Sequence, residues 1–126
     1  MSPSKPKILV IDDDDFAREI VGAILEEAGY PVVALATPIG ATRMIRALGI
    51  GAVVCDLNMP AMRGDALARL FRESKSLQHI RLVLISGAPR EDLELILAAH
   101  TVDAVVHKSD LQHALVSTLR KLLSEA

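Results

Sequence analysis

Apolar residues along this chain fall into short continuous runs and longer periodic stretches, and the two kinds alternate five times. "KILVI" is a short run rich in branched side chains, which predicts a buried strand that stops at "DDDD". From Phe16 to Ala28 the positions Phe16, Ile20, Val21, Ile24 and Leu25 recur at helical spacing, with Asp14 or Asp15 as cap and Gly29 as stop. "PVVALA" predicts the second strand. Thr37 followed by Pro38 then reads as a cap with proline at the first helical position, opening a helix that ends near Gly49. "GAVVCD" is a third strand, "DALARLFRES" a third helix, "IRLVLIS" a fourth strand and "REDLELILAAH" a fourth helix. "VDAVVHK" predicts the fifth strand, and "SDLQ" at Ser109 to Gln112 fits a capping box that opens a last helix ending near Leu123.

Five β–α units with short connections imply a parallel sheet with helices on both faces, a doubly wound α/β architecture. In such sheets ligands bind beyond the carboxyl ends of the strands, where the winding reverses. Asp12 and Asp13 follow the first strand, Asp56 ends the third, Ser86 and Gly87 end the fourth, and Lys108 ends the fifth. Thr37, after the second, is accounted for as a helix cap. The edge therefore collects three acids, a hydroxyl and an amine.

Three carboxylates brought together repel one another, and some stay protonated unless a cation lies among them. A hard divalent ion that prefers oxygen, Mg²⁺ above all, answers that need and leaves room for a phosphate. A carboxylate beside such an ion, facing a lysine, is suited to attack phosphorus and hold an acyl phosphate. Lys108 and the Ser86 hydroxyl would then meet the phosphoryl oxygens. Asp14 and Asp15 need no such role, since acids favour the first turn of a helix. Strand alternation turns His107 away from the site and Cys55 to the opposite face from Asp56, as a structural thiol. His79, His100 and His113 have no metal-ligand spacing and read as surface or capping residues.

With 126 residues the chain makes one domain. Its apolar half is almost entirely aliphatic, with one Tyr, two Phe and no Trp, a composition suited to helices packed on a parallel sheet. A net charge of −2 and no Lys/Arg block argue against direct nucleic-acid binding. A single cysteine excludes an internal disulfide, no apolar run reaches the ~18 residues of a membrane span, and "MSPSKPK" lacks the apolar core of a signal peptide. The expectation is a cytoplasmic protein that does not enter the membrane.

Four stretches, "ILVIDDD", "VVCDLNMPAMRG", "LVLISG" and "VVHK", stand in the order and at about the spacing of one known family. The chain resembles the receiver domain of two-component response regulators, the CheY-like superfamily. The resemblance implies a flavodoxin-like receiver fold with five parallel strands in order 2-1-3-4-5, a domain over residues 7–124, and a flexible N-terminal segment over 1–6. It implies that Asp56 is the phosphoacceptor, that Asp13 ligates Mg²⁺ directly and Asp12 through water, and that the Asn58 main-chain carbonyl is a further ligand. Ser86 and Lys108 take the places of the hydroxyl and lysine that meet the phosphoryl group. The implied partners are a histidine kinase or histidine phosphotransfer protein, and a downstream target or second copy on the face of helix four, strand five and helix five.

Three positions depart from the family pattern. Val105 replaces the usual Tyr or Phe three residues before the lysine, so an aromatic rotamer cannot relay the signal. Ser109 replaces the usual proline after the lysine, which disfavours a cis peptide there by ~3 kcal/mol. "PAM" replaces a glycine-bearing version of the loop. A hydrolase with an aspartyl nucleophile would need an acid two residues after Asp56, where Asn58 has no ionisable proton. The chain therefore reads as a phosphoacceptor and not as an enzyme in the ordinary sense. Val105 and Ser109 keep open an alternative, a receiver-like interaction module that signals without phosphorylation.

Overall fold

Parallel pairing of the branched, apolar runs sets the architecture. The computed structural model describes residues 5–99 and 101–124, so His100 lies outside the described residues, as do residues 1–4 of the segment expected to be flexible. The elements are β1 (Lys7–Ile11), α1 (Asp15–Glu27), β2 (Val32–Leu35), α2 (Ala41–Leu48), β3 (Ile50–Asp56), α3 (Gly64–Glu73), β4 (Arg81–Ser86), α4 (Arg90–Ala98), β5 (Ala104–His107) and α5 (Leu111–Ser124). The strands form one parallel sheet in order β2-β1-β3-β4-β5. The winding reverses between β1 and β3, so the ends of those two strands flank the crevice that such sheets use for ligands.

Successive strand residues feed two cores. Ile8, Val10, Ala52, Val54, Val83 and Ile85 pack with Val21 and Leu25 of α1 and Leu115 and Leu119 of α5. Leu9, Ile11, Val53, Cys55, Leu82 and Leu84 pack on the other face with Ile45 of α2, Leu67 and Phe71 of α3 and Leu93 of α4. Cys55 thus lies on the face expected for it, and burial pushes its thiol up, out of the reactive range.

α1 begins and ends as its sequence predicts. Asp14 accepts from the Ala17 N–H at 3.0 Å, and Gly29 takes φ +94° just past the helix. Phe16 departs from expectation: it stands in the first turn, at the edge where the strands stop, and is 71% exposed. The Thr37–Pro38 helix start is also corrected. Gly40 takes φ +89°, which breaks any helix begun at Pro38; the helix starts at Ala41, and Thr37 Oγ1 accepts from Ile39 N in the preceding turn. Nor does "SDLQ" form a capping box. The Ser109 N–H donates to Nδ1 of His107, the Ser109 hydroxyl lies 2.8 Å from the same nitrogen, and a 3₁₀ turn over Lys108–Asp110 leads into α5. Among the described residues every peptide bond is trans.

Two devices hold the sheet away from the site. Arg72 donates to the carbonyls of Gln78, Ile80 and Thr101 and pairs with Asp103, whose other contacts include the Leu82 N–H at 2.7 Å. Lys5 donates to the Ala28 carbonyl at 2.8 Å, with its ammonium 4.7 Å from the centre of the Tyr30 ring. These contacts fasten the starts of β4 and β5 and the end of α1.

The loop after β3 closes tightly, with Gly64 N–H donating to Leu57 O at 2.8 Å. A Cβ on Gly64 would come within 2.7 Å of both the Asp56 carbonyl and Leu84 Cδ2. Gly64→Ala is therefore expected to cost about 2–3 kcal/mol through overpacking, read as a lower urea midpoint at unchanged slope. A variant as stable as the parent would show that the loop has slack.

Candidate phosphoacceptor and metal site

Main-chain geometry past β1 gathers the first acids. The Asp12 N–H still reaches the Leu35 carbonyl of β2 at 3.1 Å, and one Asp12 oxygen accepts from the Asp14 N–H at 2.9 Å. That bond leaves the second oxygen available. Asp13 is exposed beside it, and Asp56, the last residue of β3, is buried. One carboxylate oxygen from each of Asp12, Asp13 and Asp56 lies within 4.8 Å of the others.

The other strand ends complete the edge. Lys108 opens the 3₁₀ turn and sets Nζ 3.5 Å from Asp56 Oδ1. Ser86, the last residue of β4, is buried, and its Oγ accepts from the Ala88 N–H at 3.0 Å. Because that bond uses an oxygen lone pair, the hydroxyl hydrogen stays free to be donated to an anion. Asn58 lies two residues past β3, exposed, with its side-chain oxygen 3.4 Å from Arg63 Nη1. Arg63 in turn pairs with Asp65 at 3.0 Å, which steadies the loop above the acids. His107 turns to Ser109 and lines a groove between α4 and α5 with Arg90, Leu93 and Val105. His79 and His113 are exposed.

Burial holds the carboxyl of Asp56 above the ordinary carboxylate range; Lys108 pulls it down and Asp12 pushes it up, and burial wins. Burial likewise raises Asp12, against the lowering effect of the Asp14 N–H. Asp14 goes the other way, held low by the Ala17 N–H it caps. Two buried acids and a third beside them make an oxygen-only donor set that a hard divalent cation fits, since its positive charge offsets the cost of keeping both ionised. Among the described residues the cluster brings together carboxylates alone, with no nitrogen or sulfur ligand of the kind many transition metals prefer, and Cys55 packs in the core shared with α2, α3 and α4.

The family model described as the response regulator receiver domain matches residues 8–120. The chain belongs to this family. The receiver domain is 28% identical over 118 residues to the chemotaxis protein CheY of Pseudomonas aeruginosa, covering 92% of this chain and 94% of CheY. It is 26% identical over 120 residues to the sensor histidine kinase TmoS of Ectopseudomonas mendocina, covering 95% of this chain and 12% of TmoS. The chain thus spans about an eighth of that kinase. Among solved structures, the signal receiver domain of a signal transduction histidine kinase from Syntrophus aciditrophicus superposes with a TM-score of 0.83 at 26% identity, covering 97% of this chain and 92% of that one. These relatives make the protein a receiver domain of two-component systems.

Three features of this receiver domain had no counterpart in the sequence reading: the Ala88 N–H on Ser86, the Arg63 bridge from Asn58 to Asp65, and Arg18, whose guanidinium lies against the turn that carries Asp12 and Asp13. Only Arg18 left a trace in the sequence, as the i,i+3 spacing to Asp15.

The raised carboxyls have a consequence for stability. A carboxyl whose folded value lies above its unfolded value favours the fold below the unfolded value, and that contribution is lost as pH rises through the folded one. Asp12 and Asp56 therefore oppose folding of the metal-free protein at neutral pH. Asp56→Asn is expected to raise the melting temperature of the metal-free protein by a few degrees at pH 7, with the gain fading as the pH falls to about 4. A drop at pH 7 would mean that the attraction of Lys108 outweighs burial.

Proposed function

We propose that this receiver domain accepts a phosphoryl group on Asp56 from a histidine kinase or histidine phosphotransfer protein, with Mg²⁺ held by Asp12, Asp13, Asp56 and the Asn58 main-chain carbonyl. The observation that supports it most is the convergence of three carboxylates within 4.8 Å with a lysine 3.5 Å from the one that ends β3. Acids so placed repel each other, and a divalent cation among them would relieve that repulsion. When bound, the ion offsets the charge of the acids and of the phosphoryl oxygens.

The chain's own groups carry the transfer. A carboxylate oxygen of Asp56 forms a bond to phosphorus as the phosphorus–nitrogen bond of the donor phosphohistidine breaks, and the departing electron pair returns to the donor's imidazole. Lys108 pairs with the charge that Asp56 gives up to the phosphoryl oxygens, and Ser86 donates its free hydrogen to one of them. Slow hydrolysis of the acyl phosphate ends the signal. The phosphoryl group biases the loops that follow β4 and β5, and the altered face of α4, β5 and α5 binds a downstream target or a second copy. Leu95 stands 72% exposed on α4, available to such a partner.

Incubation with Mg²⁺ and acetyl phosphate, or with a phosphorylated kinase, is expected to add one phosphoryl group by intact mass, with none on Asp56→Asn. Lys108→Ala should slow the reaction roughly 10²-fold. A folded protein that takes no phosphoryl group from either donor would overturn this reading in favour of a module that signals by binding alone.

A further inference from the structure

The two acids that follow β1 depend on a turn that is held mainly from outside the strand. Arg18, in the second turn of α1, reaches back so that Nη1 donates to the Asp12 main-chain carbonyl at 2.8 Å. Its Nη2 pairs with the carboxylate of Asp15, and its own main-chain N–H donates to the Asp14 carbonyl at 2.9 Å. The Arg18 side chain is only 20% exposed, while Asp15 is 87% exposed. The guanidinium is thus packed against residues 12–15 and grips them at both ends.

That grip bears on one peptide. The carbonyl of Asp12 belongs to the peptide plane whose N–H is that of Asp13, so fixing the oxygen fixes the direction in which the chain presents Asp13. Asp12 itself is held at its N–H by Leu35, at its carbonyl by Arg18 and at its side chain by the Asp14 N–H. Asp13 is exposed, and its aim depends on the backbone that carries it.

We propose that Arg18 is a positioning residue that sets the cation affinity of the Asp12–Asp13–Asp56 cluster by fixing the peptide between Asp12 and Asp13. The inference rests on the Mg²⁺ reading above. It concerns geometry, because charge alone has the opposite sign: a guanidinium close to a cation site repels the incoming ion. A lysine at this position keeps the charge but offers one compact ammonium in place of a planar fork, and cannot hold Asp12 O and Asp15 together in the same way. Groups that orient metal ligands without touching the metal typically change affinity by roughly 10- to 100-fold when removed.

The test is a Mg²⁺ titration of the full chain followed by amide NMR, for the parent, Arg18→Lys and Arg18→Gln, at about 0.5 M KCl so that the loss of charge in the glutamine variant is screened. Both variants are expected to keep a dispersed, folded spectrum, to shift the Asp13 and Asp14 signals before any metal is added, and to bind Mg²⁺ roughly 10-fold more weakly than the parent. A residue that merely stabilised the fold would lower the melting temperature and leave the affinity of the folded protein unchanged. Equal affinity in the lysine variant, with equal or tighter binding in the glutamine variant, would overturn the positioning role while leaving the cation site intact. A parent chain whose Asp12, Asp13 and Asp56 signals do not respond to Mg²⁺ would overturn the cation reading and the role of Arg18 together.

Discussion

Mutual repulsion of three carboxylates at the end of a buried sheet is the constraint around which this protein is arranged. Left alone, Asp12, Asp13 and Asp56 would push β1 and β3 apart at the edge where they meet. The fold resists at several points. The β1–β3 pairing runs through the centre of the sheet and is buried on both faces. An ammonium from β5's end sits beside Asp56, and an N–H from α1's cap occupies one oxygen of Asp12. What these contacts leave unbalanced is an excess of negative charge at this edge.

The same layout separates rigid and adaptable regions. At the opposite edge Arg72 and Asp103 clamp the starts of β4 and β5 with main-chain and ionic bonds. At the site edge the loops after β4 and β5 are linked by the Arg90–Asp110 pair, which is largely exposed and so contributes little to stability. Displacement of the Ser86 or Lys108 loop therefore meets less resistance than displacement of the strands beneath. Val105 fits this picture. It packs partly against the core beside α4 and lines a groove of about 210 Å³, so the side of the sheet toward α4 is not filled by a large ring.

Much of this was legible because period and punctuation act locally. Branched apolar runs marked all five strands, and Asp14 or Asp15 with Gly29 marked the ends of α1, the structure choosing Asp14 as the cap, since each requirement is met within a few residues. The acids, hydroxyl and amine were visible because parallel winding must deliver strand ends to one edge. Errors arose where a local motif was overruled by its surroundings. Gly40 took a positive φ and delayed α2, and Ser109 bonded to His107 instead of capping α5. Phe16 kept the helical period yet met no strand beneath it. Arg18 was missed because its main partner is a backbone carbonyl, a group every residue carries and no sequence pattern reveals.

The strand order carries a consequence for folding. Asp12 and Asp13 come from β1 and Asp56 from β3, and between them the chain builds β2 and α2 and sends β2 to the far side of β1. Ile8 must find Ala52 across that intervening unit before the acids face one another, a non-local closure of the kind that slows folding. No fragment ending before β3 can assemble the cluster, and Lys108 joins it only after β5 docks on β4. The cluster is thus built in two stages, the acids meeting when β3 pairs with β1 and the lysine reaching them only with the completed sheet.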